Sequence, residues 1–316
     1  MTHYDVFNGD ADGICALQQL RLARPRTSTL VTGVKRDNAL LARVNAGEGD
    51  TVTVLDVSYR RNDDDVERLL AAGARIRYID HHNPGAVADH PRLETHIDTA
   101  PRMTTGLIVD RLLAGAHHSW AIVSAFGDNR LRLATRLCAD AELAPDETEA
   151  LRRLGIALNY NGYGLRVADL HIAPDALYRE LAPFADPLEF TRQVLARELW
   201  DRYRVDIARA EGTQSLLDSA TAAALRLPAE PWAQRIAGPL GNRLAQASRN
   251  RAHAVLVANG DGNLRVSLRA PLEAPEGAGA LCARFGGGGR PKAAGIDALP
   301  DMELAEFLAA FRAAYR

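Results

Sequence analysis

Lysine is almost missing from this chain. Lys35 and Lys292 are the only two lysines among 316 residues, so arginine supplies nearly all of the 38 basic side chains. There are 40 acidic residues, and the net charge is −2. A protein that coats long duplex DNA or RNA needs many Lys and Arg contacts to phosphate. The charge balance therefore argues against that class, but it is compatible with a local basic groove or a short nucleotide substrate.

Cysteine is also scarce. Cys15, Cys138 and Cys282 are odd in number and lie far apart in the chain. This spacing matches neither a zinc site nor a disulfide framework. We expect three buried thiols in a reducing cytosol.

Long apolar runs and aromatic residues are both lacking. No stretch approaches the roughly 20 apolar residues of a membrane helix. The polar N-terminus leads into a predicted strand, which does not resemble a signal peptide. We therefore expect a soluble, cytoplasmic protein without membrane contact. Aromatic residues make up only 6% and form no ladder on which a long single strand would stack.

The N-terminal third alternates predicted strands with predicted helices. Apolar runs predict strands at 4–7, 30–34, 51–57, 76–80 and 97–98, and helical periodicity predicts helices at 14–22, 39–45 and 63–72. This alternation is typical of an α/β fold in which a parallel sheet carries helices on both faces. Open α/β folds bind their ligands beyond the carboxyl ends of the strands. We therefore look for chemistry at the strand ends.

The remainder divides into a helical extension and a smaller α/β region. Helices are predicted at 104–114, 119–126, 129–139, 145–158, 173–181 and within 187–219, without strands. The Asn- and Gly-rich segment 159–164 is either a helix terminator or a substrate-side loop. A hairpin follows at 254–257 and 264–268, joined by Asn259-Gly260-Asp261-Gly262. We predict a catalytic domain over 1–220 and a substrate-binding domain over 221–316, with the active site in the cleft between them.

Two carboxylates stand in the first predicted strand-to-helix turn. Asp10 and Asp12 flank Ala11 and lie between Gly9 and Gly13, which allow close backbone packing. One Asp alone is a common helix N-cap. Two Asp at this spacing, at the end of a strand, favour a metal site over a cap.

Further acidic and imidazole groups follow the later strands. Asp56 ends one strand, Asp80-His81-His82 ends the next, and Asp128 follows Gly127. Taken singly, Asp56 is equally compatible with a capping role, and Asp128 is more typical of an N-cap for the helix that follows. Together with the first pair they would repel one another unless cations neutralise them. Carboxylate and imidazole ligands without thiolate suit Mn²⁺, Mg²⁺ or Fe²⁺, and two ions roughly 3.5–4 Å apart serve phosphoester hydrolysis.

These segments resemble the four ordered motifs of the DHH phosphoesterase superfamily. The matching stretches are Asn8 to Gly13, Asp56, Asp80 to His82, and Gly127-Asp128. The superfamily includes RecJ-type exonucleases, nanoRNases and oligoribonucleases, cyclic-dinucleotide phosphodiesterases and family II inorganic pyrophosphatases. The resemblance covers about residues 4–130 and implies a metal-dependent hydrolase with two divalent ions, Mn²⁺ being preferred and Mg²⁺ the alternative.

The resemblance also implies a role for each metal-site residue. Asp10 would bind the first ion and Asp12 the second, while Asp56 would bridge them. His81 and Asp128 would complete the second site.

Two further residues of the motif would act on the substrate and its surroundings. His82 would face the scissile phosphate, and Asp80 would orient the histidines, as such outer ligand partners usually do. Many members carry a His before the first Asp pair. Here the equivalent position is Asn8, a poorer ligand for the first ion.

A glycine-rich stretch in the C-terminal region resembles the motif of the DHH-associated domain. Consecutive glycines from Gly286 to Gly289 expose backbone N–H groups that can cradle an anion. Family members commonly have His where this chain has Arg290. Arg269, on a predicted strand, resembles the family's substrate-contacting Arg. The residues expected to bind substrate are Arg269, Gly287, Gly288, Gly289, Arg290 and Lys292.

The sequence leaves the substrate open. Near-neutral charge and a compact chain favour hydrolysis of short oligonucleotides or dinucleotides. A RecJ-type exonuclease specific for single-stranded DNA or RNA is the first alternative, and a nucleotide-binding regulator with lost or weak catalysis is the second. We expect a nucleotide or nucleic-acid partner, and the sequence leaves homodimerisation open.

Overall fold

The computed structural model describes the whole chain, Met1–Arg316, as two compact units. The first unit is Met1–Asp201 and the second is Arg202–Arg316. None of the helices combines the length and the apolar character needed to cross a membrane.

A five-stranded parallel sheet forms the centre of the first unit. Its strands are β1 His3–Asn8, β2 Thr29–Gly33, β3 Thr51–Leu55, β4 Arg75–Asp80 and β5 Leu93–Ile97. They are arranged in the order β2-β1-β3-β4-β5, and every neighbouring pair is parallel. The predicted α/β fold with a parallel sheet is therefore confirmed.

Nine helices begin in the first unit. They are α1 Ala11–Ala23, α2 Asp63–Ala71, α3 Thr105–Leu112, α4 His118–Gly127, α5 Leu131–Asp140, α6 Pro145–Gly162, α7 Pro174–Leu181, α8 Pro187–Thr191 and α9 Val194–Glu211. The helix predicted at 39–45 is wrong, because only a 3-10 turn, Leu40–Arg43, forms there. Its carbonyl groups are held by the Arg68 side chain, which donates to the Leu41 and Val44 oxygens.

The sheet has two buried faces because side chains alternate along a strand. Phe7, Leu55 and Ile79 lie in the core formed with α1, α3, α4 and α6. The neighbouring positions, such as Val54 and Tyr78, lie in a second core, which α2 helps to form. Both layers bury β-branched and aromatic residues, and this positions the carboxyl ends of β1, β3 and β4 rigidly at one edge.

The Asn- and Gly-rich segment 159–164 does not terminate α6 where the sequence predicted. The helix continues to Gly162. Asn161 exchanges hydrogen bonds with the backbone of Ile172, and Asn159 accepts one from Lys35. These buried tertiary contacts outweigh the low helix propensity of Asn.

The second unit contains a six-stranded mixed sheet. Its strands are β6 Ser215–Asp218, β7 Ala222–Leu227, β8 Ala252–Ala258, β9 Asn263–Arg269, β10 Gly288–Arg290 and β11 Ala293–Pro300, and its helices are α10 Pro231–Ala247, α11 Ala278–Ala283 and α12 Leu304–Ala314. The order is β10-β11-β9-β8-β7-β6, and only β7 and β8 are parallel. The predicted hairpin is confirmed as β8 and β9, with Gly260 and Gly262 at φ of 85° and 84° in its turn.

The start of the second sheet corrects the prediction of helix without strands up to residue 219. Helix α9 ends at Glu211, and β6 then pairs with β7 in antiparallel fashion. The sequence pattern after Glu211 is helical, but the chain forms a strand there because β7 provides a pairing partner. The domain boundary predicted between residues 220 and 221 lies at the β6–β7 turn, inside the second unit.

Candidate metal centre

The carboxyl ends of β1, β3 and β4 bring most of the predicted site residues together. Asp10 and Asp12 follow β1, Asp56 follows β3, and Asp80 is the last residue of β4. His81 and His82 come directly after it. The side chains of all four acids are almost completely buried. Such a concentration of buried acids at one sheet edge requires positive partners.

Asp10 combines a capping role with an ion pair. Its Oδ1 accepts from the backbone N–H groups of Asp12 and Gly13, so Asp10 is the N-cap of α1. Its Oδ2 is paired with the Lys35 ammonium. Burial alone would raise the pKa of Asp10, but the charge and hydrogen bond of Lys35, together with the hydrogen bond from the Gly13 N–H group, lower it. The capping and charge-binding interpretations therefore both apply, one to each oxygen.

Asp12 is fixed by the amino end of α3. The backbone N–H groups of Thr105 and Gly106 donate to its two oxygens at 2.8 and 2.7 Å, and the Ser124 hydroxyl donates at 2.7 Å. Burial raises the pKa of Asp12, and the charges of Asp128 and Asp10 add to this effect. The carboxylate is thus held rigidly in an environment that still disfavours its charge.

Asp56 adopts an unusual backbone conformation, with φ of 59°. Left-handed backbone is costly for a residue with a side chain and tends to persist at functional sites. The Thr105 hydroxyl donates to Asp56 Oδ1 at 3.1 Å. Burial raises the pKa of Asp56 well above its ordinary value, and the charges of Asp12 and Asp10 raise it further.

The tautomer of His81 gives a test of whether a cation fits here. His81 Nδ1 lies 2.9 Å from the Met103 carbonyl oxygen, which can only accept, so Nδ1 carries the proton. Nε2 then faces Asp56 Oδ1 at 3.4 Å and Asp12 Oδ2 at 3.8 Å, and in the neutral imidazole it directs its lone pair at them. Three acceptors facing one another need a proton or a metal cation among them. The donor set of one imidazole and two carboxylates, without thiolate, fits Mn²⁺ or Mg²⁺.

His82 and Asp80 form a separate pair beside this cluster. His82 Nδ1 donates to Asp80 Oδ1 at 2.7 Å and lies 3.9 Å from Asp56 Oδ1. Burial alone would lower the pKa of His82, but the hydrogen bond and charge of Asp80 outweigh it and raise this pKa. Asp80 therefore orients His82 only, while Met103 orients His81. Atoms of Asp56, His81 and His82 that can ligate a metal lie within 4.8 Å of one another.

Asp128 lies on the Lys35 side of the centre. It follows α4 and does not cap α5, whose N-cap is Arg130, so the capping alternative is wrong. Asp128 Oδ2 pairs with Arg130 at 3.0 Å, and its Oδ1 lies 3.9 Å from Lys35 Nζ. Arg130 is therefore a partner of the centre and not a solvated helix residue.

Lys35 is the residue of the centre that sequence reasoning missed, because a charge after a strand is usually solvated. Its Nζ contacts Asp10 and donates to Asn159 Oδ1 at 2.9 Å, and it lies 5.6 Å from the centroid of the Tyr163 ring. Its backbone N–H donates to the Gly162 carbonyl group. The available signal was its rarity, since the chain uses arginine almost everywhere else.

Asn8 is the last residue of β1 and is buried. Its Nδ2 donates to the Lys35 carbonyl oxygen at 3.2 Å, and its buried Oδ1 makes no hydrogen bond. A free amide oxygen is a weak ligand for a hard cation. Its predicted role as a ligand stays a prediction.

The predicted substrate residues lie in the second unit. Arg269, at the end of β9, donates to Asn242 Oδ1, to the Ser267 hydroxyl and to the Leu268 carbonyl oxygen. The glycine-rich stretch is not a loop throughout, because Gly288–Arg290 forms the edge strand β10 against β11. Arg290 and Lys292 are exposed. Gly287 has no room for a side chain, since a Cβ atom would lie 2.2 Å from the Gly295 carbonyl oxygen.

We expect Asp80→Asn to lower the pKa of His82 below its ordinary value of 6.5 in metal-free protein. In the native chain the Asp80 carboxylate favours protonated His82, and without this charge burial dominates. Histidine titration by NMR measures the change. The Asp98→Asn variant is the control, since Asp98 also follows a strand but pairs with Arg111. An unchanged His82 titration in Asp80→Asn would show that the pair does not form in solution.

Comparison with known proteins places the chain by its fold. No protein-family model and no curated protein matches the sequence. The structure is similar to a RecJ exonuclease bound to manganese, with a TM-score of 0.64 and 18% identity over 99% of this chain and 90% of that one. It is also similar to RecJ of Thermus thermophilus in complex with Mn²⁺, with a TM-score of 0.62 and 18% identity over 99% of this chain but only 51% of that one.

A smaller enzyme matches along almost its entire length. The pGpG-specific phosphodiesterase PggH of Vibrio cholerae has a TM-score of 0.57 and 15% identity over 98% of this chain and 99% of that one. The chain therefore shares the fold of these structures, and in this chain it consists of a parallel-sheet unit followed by a mixed-sheet unit.

Proposed function

We propose that this protein is a divalent-cation-dependent phosphodiesterase that hydrolyses short oligonucleotides or dinucleotides. The observation that carries the proposal is the His81 Nε2 lone pair, which faces the Asp56 and Asp12 carboxylates. Asp10, Asp12, Asp56, His81 and Asp128 would hold two ions, Mn²⁺ for preference. Bound ions of this kind lower the pKa of water and offset charge on phosphate oxygens.

The chain's own residues supply the remaining chemistry. His82 is half-buried and donates a hydrogen bond to Asp80, which raises the pKa of His82 and so favours its protonated form. A protonated imidazole would donate to a phosphate oxygen and stabilise charge that develops there. Asp80 holds the His82 ring in one orientation and keeps the Nε2 side free for substrate. The backbone strain at Asp56 and the donors around Asp12 keep these carboxylates in place before substrate binds.

Substrate length is proposed from the near-neutral net charge and from the match to the pGpG-specific enzyme along 99% of its length. Chain size alone does not decide it, because the chain spans 51% of the Thermus thermophilus RecJ chain but 90% of the other RecJ exonuclease chain. Arg269, Arg290, Lys292 and the backbone of Gly287, Gly288 and Gly289 would hold the terminal phosphate or nucleotide. Guanidinium groups suit this task because their fork matches two phosphate oxygens.

The test is the length profile of cleaved substrates. Purified protein is incubated with Mn²⁺ and labelled RNA or DNA of two to about thirty nucleotides, and with cyclic dinucleotides. We expect dinucleotides and the shortest oligomers to be cleaved fastest. Processive digestion of long single strands would favour the RecJ-type exonuclease. No turnover of any substrate would refute the enzyme and favour a nucleotide-binding regulator.

A further inference from the structure

The sheet face that carries α1 changes from apolar to basic along its strands. Near the carboxyl ends it bears Phe7, Leu55 and Ile79, which pack in the core. Side chains two residues apart share a face, so the same face carries Arg75 and Arg77 towards the start of β4. A cavity of about 370 Å³ opens at this end of the sheet. Its lining includes six arginines, Arg21, Arg24, Arg26, Arg75, Arg77 and Arg92. We call it the arginine groove.

Few acids balance these charges. Arg21 is paired with Asp5, and Arg77 lies 3.1 Å from Glu94. Glu94 is the only acidic residue in the lining.

The other four arginines form no ion pair. Arg24 and Arg75 are exposed, and Arg26 has only His3 and Thr51 as side-chain partners. Arg92 donates through Nη2 to the Leu70 carbonyl oxygen, while its Nε makes no hydrogen bond. The groove therefore concentrates positive charge in a chain whose net charge is −2. Like charges held this close need an anion to offset their repulsion.

The shape and lining indicate the class of anion. A volume of about 370 Å³ is that of a small-molecule site. Several guanidinium groups that converge on one space suit consecutive phosphates, because each can bind two oxygens. Leu20 and the exposed Pro91 add an apolar part to the lining, against which a sugar and base would pack, whereas the side chains of Val52 and Ile76 are buried in the opposite core. We propose that the arginine groove is a second ligand site, which binds a nucleoside polyphosphate.

The groove shares no residue with the metal centre. Asp10 caps the amino end of α1, whereas Leu20, Arg21 and Arg24 belong to its carboxyl end. Thirteen helical residues span roughly 20 Å. A ligand in the groove is therefore distinct from the substrate of the proposed reaction, and the inference does not depend on that reaction.

Binding is measured by isothermal titration calorimetry with ATP, GTP and inorganic tripolyphosphate in the presence of a chelator, so that no metal-bound phosphate contributes. We expect the double variant Arg24→Glu/Arg75→Glu to weaken triphosphate binding at least about 30-fold, because each change replaces an attraction by a repulsion. Both side chains are exposed, so the fold is retained. The thermal unfolding midpoint of the ligand-free variant verifies this.

Arg192→Glu/Arg197→Glu is the matched control, with the same charge change at exposed positions outside the groove. This variant should bind triphosphate with an affinity within about threefold of that of the native chain, since exposed charges beyond a Debye length are screened. If the Arg24→Glu/Arg75→Glu variant bound triphosphate as tightly as the native chain, the proposal that the arginine groove is a ligand site would be refuted. Tripolyphosphate binding as tightly as both nucleotides would overturn the nucleoside assignment.

Discussion

Replacing Asp56 by Ala or Asn abolishes hydrolysis and leaves the fold intact. Asp56 Oδ1 faces His81 Nε2 at 3.4 Å and lies 3.9 Å from His82, so it joins the two histidines to the carboxylate cluster. Loss of an outer partner of a metal ligand costs about 10–100-fold in metal affinity or activity. Loss of the proposed bridging ligand itself should exceed that range, and we expect a fall of more than about a hundredfold in kcat/KM.

The fold survives because Asp56 costs stability in the metal-free protein. Burial and the charges of Asp12 and Asp10 raise its pKa, which means that the folded chain disfavours its ionised form. Asn keeps the shape and tolerates the left-handed backbone at φ 59°, whereas Ala tolerates it less well. Metal-free Asp56→Asn should therefore unfold at the same temperature as the native chain or a higher one.

The measurements are turnover with Mn²⁺ and thermal unfolding in chelator. Asp98→Asn is the control, because Asp98 also follows a strand of this sheet and pairs with Arg111 instead of the centre. Its turnover should match that of the native chain. Native turnover in a folded Asp56→Asn variant would refute the role of Asp56 and with it the dinuclear site.

We expect that replacing Lys35 by Met makes binding of the divalent ion on the Asp10 side, the more weakly bound of the two, at least about tenfold tighter. In the structure the Lys35 ammonium is paired with Asp10, and it lies 3.9 Å from Asp128. A cation on the Asp10 side must displace this charge, and two positive charges a few Å apart repel strongly in a buried site. An ion on the Asp12, Asp56 and His81 side meets no such competitor. The native chain should therefore load two ions in two separate steps.

Calorimetric titration of Mn²⁺ into chelator-stripped protein resolves the two steps, and EPR counts the bound ions. In Lys35→Met the dissociation constant of the weaker binding step should approach that of the stronger step. Met retains the length of the side chain without its charge. Lys292→Met removes the only other lysine and should leave both steps unchanged. A Lys35→Met isotherm identical to that of the native chain would show that Lys35 does not compete for this position.

The order of elements in the first unit was predictable because local patterns report on local structure. Alternating apolar runs and amphipathic segments matched β1 to β4, whereas the strand predicted at 97–98 overlaps β5 only at Ile97. The predictions failed where distant contacts override propensity. Asn159 and Asn161 lie inside α6 because Lys35 and Ile172 satisfy their side chains. Strand β6 forms because β7 offers a partner, which a helical pattern cannot reveal.

In the candidate metal centre, the ionisable residues were predictable from the sequence, but the groups that contact them were not. The acids and histidines were identified from their positions at strand ends, where a parallel sheet gathers side chains at one edge. The groups that form hydrogen bonds with these side chains were not identified from the sequence. The Met103 carbonyl group that sets the tautomer of His81 comes from more than twenty residues away in the chain. The N–H groups that hold Asp12 come from Thr105 and Gly106, and backbone donors leave no mark in the residue types.

The sequence by itself determined the class of fold and the set of ionisable groups, because periodicity and strand-end residues are local properties of the chain. Only the tertiary structure decided how each group is charged and what it contacts. It paired Asp10 with Lys35, turned the lone pair of His81 towards two carboxylates, and gathered six arginines in one groove. Charge state depends on burial and on neighbours within a few Å, and those neighbours are set by folding.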